Sequence, residues 1–486
     1  MSQATTSATA THGHRFAHSA EVEGAVEAIV KTMAAQSAQI TDVRAGREEL
    51  RESYEDLMAR AGAARGRGLM YPYIGSGLGN GALVELADGS VKWDMICGIG
   101  VHFFGHSDPG VVGASVRGAM SDTIMHGNLQ SGFEPYEFSE LLLNEAAKGS
   151  KLKHCFVAAS GALVNENALK LAFQKHGAAP RVLAFKDCFM GRTVTMSQIG
   201  DSAGNRVGLP LSTLVDYMPF YDEAYAARTS PKRMIDMACD HLQSYIDRYP
   251  KQHACFIFEL VQGEGGFNTA PREFFVELMK ICKANDIAVW DDEVQTFGRT
   301  TSMFAYDTLG VGEYVDLVTI GKMSQACATL FTEAYNPGPG LLSATFTGSG
   351  SACKAGCEIV RRLLGGGYYG EGGLIAQHHK AFREQAEALV ARHPGWFPDV
   401  KPHPMSPSPV GKVGGIGGMM RFSPFGGAKD KVGKCLRACY DEGVILFSCG
   451  HGPYHIRMLP PLGVMKLEDW PRVFASVERG LAKVAG

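Results

Sequence analysis

The chain has 486 residues, 47 basic and 50 acidic side chains, and a formal net charge of −3. That balance gives nucleic acid or an anionic membrane no electrostatic hold, and an apolar content of 45% excludes a disordered chain. Glycine fills 59 positions, above an average share of about 7%, yet without the period of collagen. One core stops growing near about 300 residues, so at least two domains are expected.

The first twenty residues, MSQATTSATATHGHRFAHSA, hold one Arg, no acid and no apolar run. They read as a loose tail and not as a secretory leader. Residues 21–65 carry apolar side chains near the helical period. The glycines of GSGLGNG at 75–81 imitate a dinucleotide fingerprint, but the alternating ALVELADGSVKW follows. A strand hairpin turning at Asp88-Gly89 is therefore expected, and no Rossmann turn. His102 and His106 frame a structural turn. From about 110, short apolar runs (CFVAA, RVLAF, TLVDYM, ACFIFELV, IAVWDDE, DLVTIGK) alternate with helical stretches. Continuous apolar strands between helices predict a mostly parallel sheet buried on both faces, an α/β domain over 110–350. Near 350 helices return, with His378 and His379 on what reads as a solvated face. A Pro-rich stretch at 393–413 follows, then a few strands and a last helix at 469–484. Residues 1–109 and 351–486 are expected to form a smaller α+β domain from both chain ends. The 12 cysteines include no CxxC and read as buried thiols of a reducing, cytoplasmic compartment. The spaced pairs Cys353/Cys357 and Cys435/Cys439 lack nearby ligands, so packing is expected and no metal site. No apolar run is long enough for a membrane span.

In open α/β sheets, ligands bind at the carboxyl ends of the strands. ACFIFELVQGEGG places Glu259, Gln262 and Glu264 beyond one strand. IAVWDDEVQTFGRT places Asp291, Asp292, Glu293 and Gln295 beyond the next, and DLVTIGK ends in Lys322. A carboxylate and a lysine at neighbouring strand ends suit pyridoxal 5'-phosphate (PLP). The amine condenses with the aldehyde, and a buried Asp keeps the ring nitrogen protonated. Ser160-Gly161-Ala162, between a strand and a helix, suits the phosphate.

The stretches SGALVNENALK, FMGRT, ELVQGEGG, DDEVQTFGRT, TIGK and IRMLPPLG resemble, in order and spacing, the class III pyridoxal-phosphate aminotransferases of fold type I. The resemblance runs from about Trp93 to Leu462 and is greatest to the 4-aminobutyrate, ornithine and L-lysine 6-aminotransferase branch. It implies a homodimer with a shared site, taking an amine donor and a 2-oxo acid. It further implies that Lys322 is the Schiff-base lysine and proton carrier, and that Asp292 pairs with the pyridinium nitrogen. Gln295 would bond the ring hydroxyl, Val294 and Phe189 would cover the two ring faces, and Gly161 and Ala162 would bind phosphate. Thr345 would reach the phosphate of the neighbouring subunit. For substrates, Arg457 matches the arginine that clamps an α-carboxylate, and Glu264 the glutamate that covers it. Arg192 matches the arginine for the distal carboxylate of 2-oxoglutarate. Ile99 stands where 4-aminobutyrate enzymes carry Ile and ornithine-specific ones Tyr. Three departures mark this chain: Met190 before Gly-Arg, a loop after Gln295 one glycine short, and Thr347 where Gly is usual. The implied reaction moves a terminal amino group, from an ω-amino acid, lysine or a diamine, to 2-oxoglutarate. Pyruvate as acceptor, and an aminomutase or racemase on the same scaffold, stay open.

Overall fold

The computed structural model describes residues 11–69, 71–401 and 410–486. Six of the apolar runs form strands, β1 (Leu152–Ala158), β2 (Arg181–Phe185), β3 (Leu214–Met218), β4 (His253–Phe258), β5 (Ala288–Glu293) and β6 (Leu317–Ile320). A seventh strand, β7 (Cys327–Thr332), was not foreseen. The sheet order is β1-β7-β6-β5-β4-β2-β3, with β7 antiparallel to both neighbours and the contacts from β6 to β3 all parallel.

Alternate side chains of this sheet enter two different cores. Val182, Ala184, Cys255, Ile257 and Trp290 pack with Leu169 and Ala172 of the helix Gly161–Lys175. Leu183, Phe185, Phe256, Phe258 and Val289 pack with Leu242 and Phe274 of the helices Pro231–Arg248 and Arg272–Ala284. Burial on both faces explains why the strands are apolar throughout.

The hairpin Leu83–Leu86 and Val91–Asp94 turns at the expected place and joins Val444–Ile445 in one sheet, so the two chain ends meet. A second small sheet runs Val413–Ile416, Met419–Phe422, His455–Met458 and Phe447–Cys449 in spatial order. Part of the glycine surplus belongs here. Gly415 and Gly417 have φ of 102° and 55°, and a side chain at either would strike a neighbouring carbonyl oxygen.

Residues 1–10 of the expected tail lie outside the described residues, and His12–Ala17 is a short exposed helix. The helix Ala20–Ser37 packs on Pro109–Ala119 of its own chain, with Glu23 and Arg117 paired at 2.6 Å. The Pro-rich stretch is described only outside 402–409, where Val400 bridges Val410. The histidine pair corrects the sequence reading. His378 is 2% exposed and accepts the Trp470 indole N–H at 3.1 Å, while the His379 ring lies 2.8 Å from the Gly417 carbonyl. The helix Leu374–Arg392 is covered on these faces by Asp469–Ala485 and by the glycine hairpin, contacts that periodicity does not reveal. All 12 cysteines are unpaired, and ten are buried. No helix among the described residues is long and apolar enough to cross a membrane.

Candidate active site

The carboxyl ends of β4, β5 and β6 converge. At the end of β5, Asp292 is 6% exposed, and its Oδ1 accepts from the Val294 N–H at 2.9 Å. Its Oδ2 accepts from Asn165 Nδ2 at 2.8 Å, and the same amide donates to the Met190 carbonyl at 2.8 Å. Burial raises the Asp292 pKa, opposed by these two bonds and by the Lys322 charge. Lys322 follows β6 in a single 3₁₀ turn, Lys322–Ser324, with φ of 55°. A left-handed backbone at a side-chain-bearing residue is uncommon, and such strain gathers at functional sites. Burial lowers the Lys322 pKa, while Glu264 and Asp292 act to raise it. A depressed amine pKa increases the neutral, nucleophilic form.

The helix Gly161–Lys175 starts beside this pair. Ser160 Oγ caps it by accepting from Leu163 N–H at 3.3 Å, leaving the first N–H groups for an anion. Close approach here depends on glycine. A Cβ on Gly161 would stand 2.9 Å from Val294 Cγ1, and one on Gly191 would stand 2.7 Å from Ala162 Cβ. Half-buried Val294 packs on Ala158, Val164 and Cys327. A buried acid, a half-buried lysine and a donor-rich helix start in one place fit PLP in kind and number.

Glu259, at the end of β4, ties two walls of the site. Its Oε2 accepts from Phe189 N–H and its Oε1 from Gly263 N–H, both at 3.0 Å. Burial, reinforced by the Asp292 charge, pushes its pKa to about 8. Sequence reasoning gave this residue no task, because both donors are backbone groups and one of them lies 70 residues away in another loop. An amide in its place offers only one acceptor oxygen. Glu259→Gln is therefore expected to leave one buried N–H unpaired and to cost about 1–3 kcal/mol of stability in denaturant unfolding.

On the substrate side, Arg457 is fully buried and donates from Nη2 to Glu264 Oε1 at 2.7 Å and from Nη1 to Gln295 Oε1 at 3.4 Å. Its guanidinium stands 5.3 Å from the Phe447 ring and 5.7 Å from that of Phe267. Ile99, with φ of 64°, joins both phenylalanines in one apolar cluster. Arg192 is exposed, 5.3 Å over the Phe189 ring. Hydrogen bonds, close packing and, for Lys322, charge interactions thus bring together Gly161, Ala162, Phe189, Asp292, Val294, Gln295, Lys322, Glu264 and Arg457, with Ile99 and Arg192 at the margins. Thr345 is exposed, between Ala344, whose carbonyl accepts from Asn128 N–H at 3.2 Å, and Phe346, which is 59% exposed.

A model of the aminotransferase class-III family matches residues 71–472. The chain belongs to the class-III aminotransferases. It is 28% identical over 452 residues to 5-aminovalerate aminotransferase of Pseudomonas putida, covering 88% of this chain and 96% of that protein. It is 27% identical over 394 residues to diaminobutyrate–2-oxoglutarate transaminase of Nocardia farcinica, covering 79% and 84%. Among solved structures it resembles the lysine aminotransferase from M. tuberculosis, with a TM-score of 0.74, 22% identity, and coverage of 88% of this chain and 99% of that one. At that identity the likeness is one of fold, and it places this class-III aminotransferase among α/β proteins with a large mixed sheet flanked by helices.

Proposed function

We propose that this class-III aminotransferase binds PLP and moves the amino group of a terminal primary amine, from an ω-amino acid, lysine or a diamine, to 2-oxoglutarate. An aldehyde and glutamate are the products. The observation that carries this reading is the Glu264–Arg457 pair at 2.7 Å, with Arg457 fully buried. A carboxylate-binding arginine covered by the chain's own carboxylate accepts a donor that brings only an amine and a hydrocarbon to that place. A dicarboxylic acceptor displaces Glu264 and takes the bidentate arginine itself, its far carboxylate going to Arg192. The names of the relatives, acting on 5-aminovalerate and on diaminobutyrate with 2-oxoglutarate, support donor and acceptor alike.

When bound, the cofactor supplies an aldehyde for the incoming amine and a ring that withdraws electrons. Asp292 keeps the ring nitrogen protonated, Gln295 orients the ring hydroxyl, and Phe189 and Val294 exclude water from its faces. Gly161 and Ala162 present backbone N–H groups to the phosphate. Lys322 Nζ removes the proton from the donor carbon that bears the amine and returns one in the second half-reaction. The exposed Phe346, beside Thr345, and Leu129, beside the Asn128 that bonds Ala344, are 59% and 102% exposed and suit coverage by a second copy, which would carry Thr345 to the partner's phosphate site. Unpaired cysteines throughout suit the cytoplasm.

A glutamate-release assay over a panel of donors tests the reading. Terminal amines with 2-oxoglutarate should release glutamate, and release from α-amino donors alone sinks it. Glu264→Gln uncovers the Arg457 charge, so the preference for terminal over α-amino donors, as a ratio of kcat/KM values, is expected to fall about tenfold or more.

A further inference from the structure

Arg421 lies directly opposite Arg457 across the antiparallel ladder between Met419–Phe422 and His455–Met458. Residues so paired project from the same sheet face. One face of this small sheet therefore carries two arginines, 6% and 0% exposed. Buried charges are ordinarily paired, because desolvation is costly. Arg457 has Glu264. Arg421 has no acidic oxygen within ion-pair distance among the described residues, and residues 1–10, 70 and 402–409 contain no Asp or Glu. Its Nη1 donates to the Gly411 carbonyl at 3.0 Å and to Ser423 Oγ at 3.4 Å, and its Nε is buried without a partner among the described residues. Gly414, its neighbour on the adjoining strand, leaves the guanidinium room, since a Cβ there would stand 2.9 Å from Arg421 Cζ.

Arg421 lines a cleft of about 610 Å³, within the usual size of a small-molecule site. Phe220, Met234 and Met237 give it apolar walls, and neither Lys322 nor Asp292 reaches it. It lies behind the turn that carries Glu264, of which Gln262, Gly265 and Asn268 line the cleft. We propose that this cleft is a second carboxylate-binding site, distinct from the amine-exchange site, where Arg421 holds the carboxylate of a small organic acid. The planar guanidinium matches a carboxylate. Lys186, Arg383 and Arg421 share the cleft with Asp187, Asp222 and Glu223, so its formal charge is near zero, which suits a singly charged carboxylate better than a doubly charged phosphate.

Equilibrium dialysis of the cofactor-loaded protein against labelled glutarate tests the proposal, with the cofactor absorbance reporting glutarate in the amine-exchange site. Bound glutarate is expected to exceed, by one equivalent per chain, the amount that the absorbance reports. Arg421→Leu should remove that equivalent and leave the absorbance response unchanged. Met237→Trp, at a helix position 39% exposed, fills the cleft from outside and should do the same even where Arg421→Leu fails to fold. No excess in the wild-type protein, an excess that survives in folded Arg421→Leu, or displacement of the excess by equimolar inorganic phosphate overturns the assignment.

Discussion

Replacing Lys322 with alanine is expected to lower transamination about 10³-fold or more, and to abolish the absorbance shift that PLP acquires on the wild-type protein. The half-buried amine stands between the charges of Asp292 and Glu264, at the strained turn that closes β6. The nearby Arg457 guanidinium, held by Glu264, offers neither a nucleophile nor a proton carrier. Alanine meets the same left-handed backbone as lysine, so the fold is expected to persist. Lys322→Arg keeps the charge without the nucleophile and should be equally inactive. An absorbance shift unchanged in Lys322→Ala would show that the cofactor is held elsewhere.

The other large effect is on stability. Asp291 and Glu293 flank Asp292 on β5 and, by strand alternation, face the opposite layer; both are 0% exposed. Glu293 Oε1 accepts from the Tyr306 N–H at 3.1 Å, and the Asp291 carboxyl meets the Glu293 carboxyl, with no other hydrogen-bond partner among the described residues. Burial raises Glu293 to about 7, and burial with Glu293 alongside raises Asp291 well above the carboxylate range. Between an unfolded value of about 4 and these folded values, the folded chain keeps protons that the unfolded chain has lost. Stability is therefore expected to fall as pH rises through that window, by up to about 1.4 kcal/mol per pH unit for each group. Asp291→Asn removes one such group and should flatten the decline in denaturant unfolding between pH 5 and 9. Parallel pH profiles for the two proteins would exclude Asp291 as the cause.

Continuous apolar runs made six strands of the large sheet legible, since a strand buried on both faces cannot hide its composition. Strand β7 escaped because CATLFT follows the polar Ser324-Gln325 pair and resembles the end of a loop. The strands beyond 413 were expected only as a group, and the hairpin of 413–422 was not delimited because glycine weakens the pattern that marks a strand. Asp292, Lys322 and Glu264 were legible from chemistry at strand ends. Glu259, the burial of His378 and the cleft at Arg421 were not, because each depends on groups that only the folded chain brings near. Arg421 shows the limit well: nothing in GGMMRFS tells that it faces Arg457.

The antiparallel strand β7 also shapes how the chain must be assembled. It fills the gap between β1 and β6, pairing residues as distant in sequence as Ala158 and Cys327. During synthesis, β1 is made long before its partner, and its edge stays open to other chains until residue 332 has emerged. Closure of such a long loop is slow, so aggregation competes with folding at that stage. Fragments that stop before Thr332 are then expected to precipitate, and chaperone demand should concentrate on nascent chains of that length.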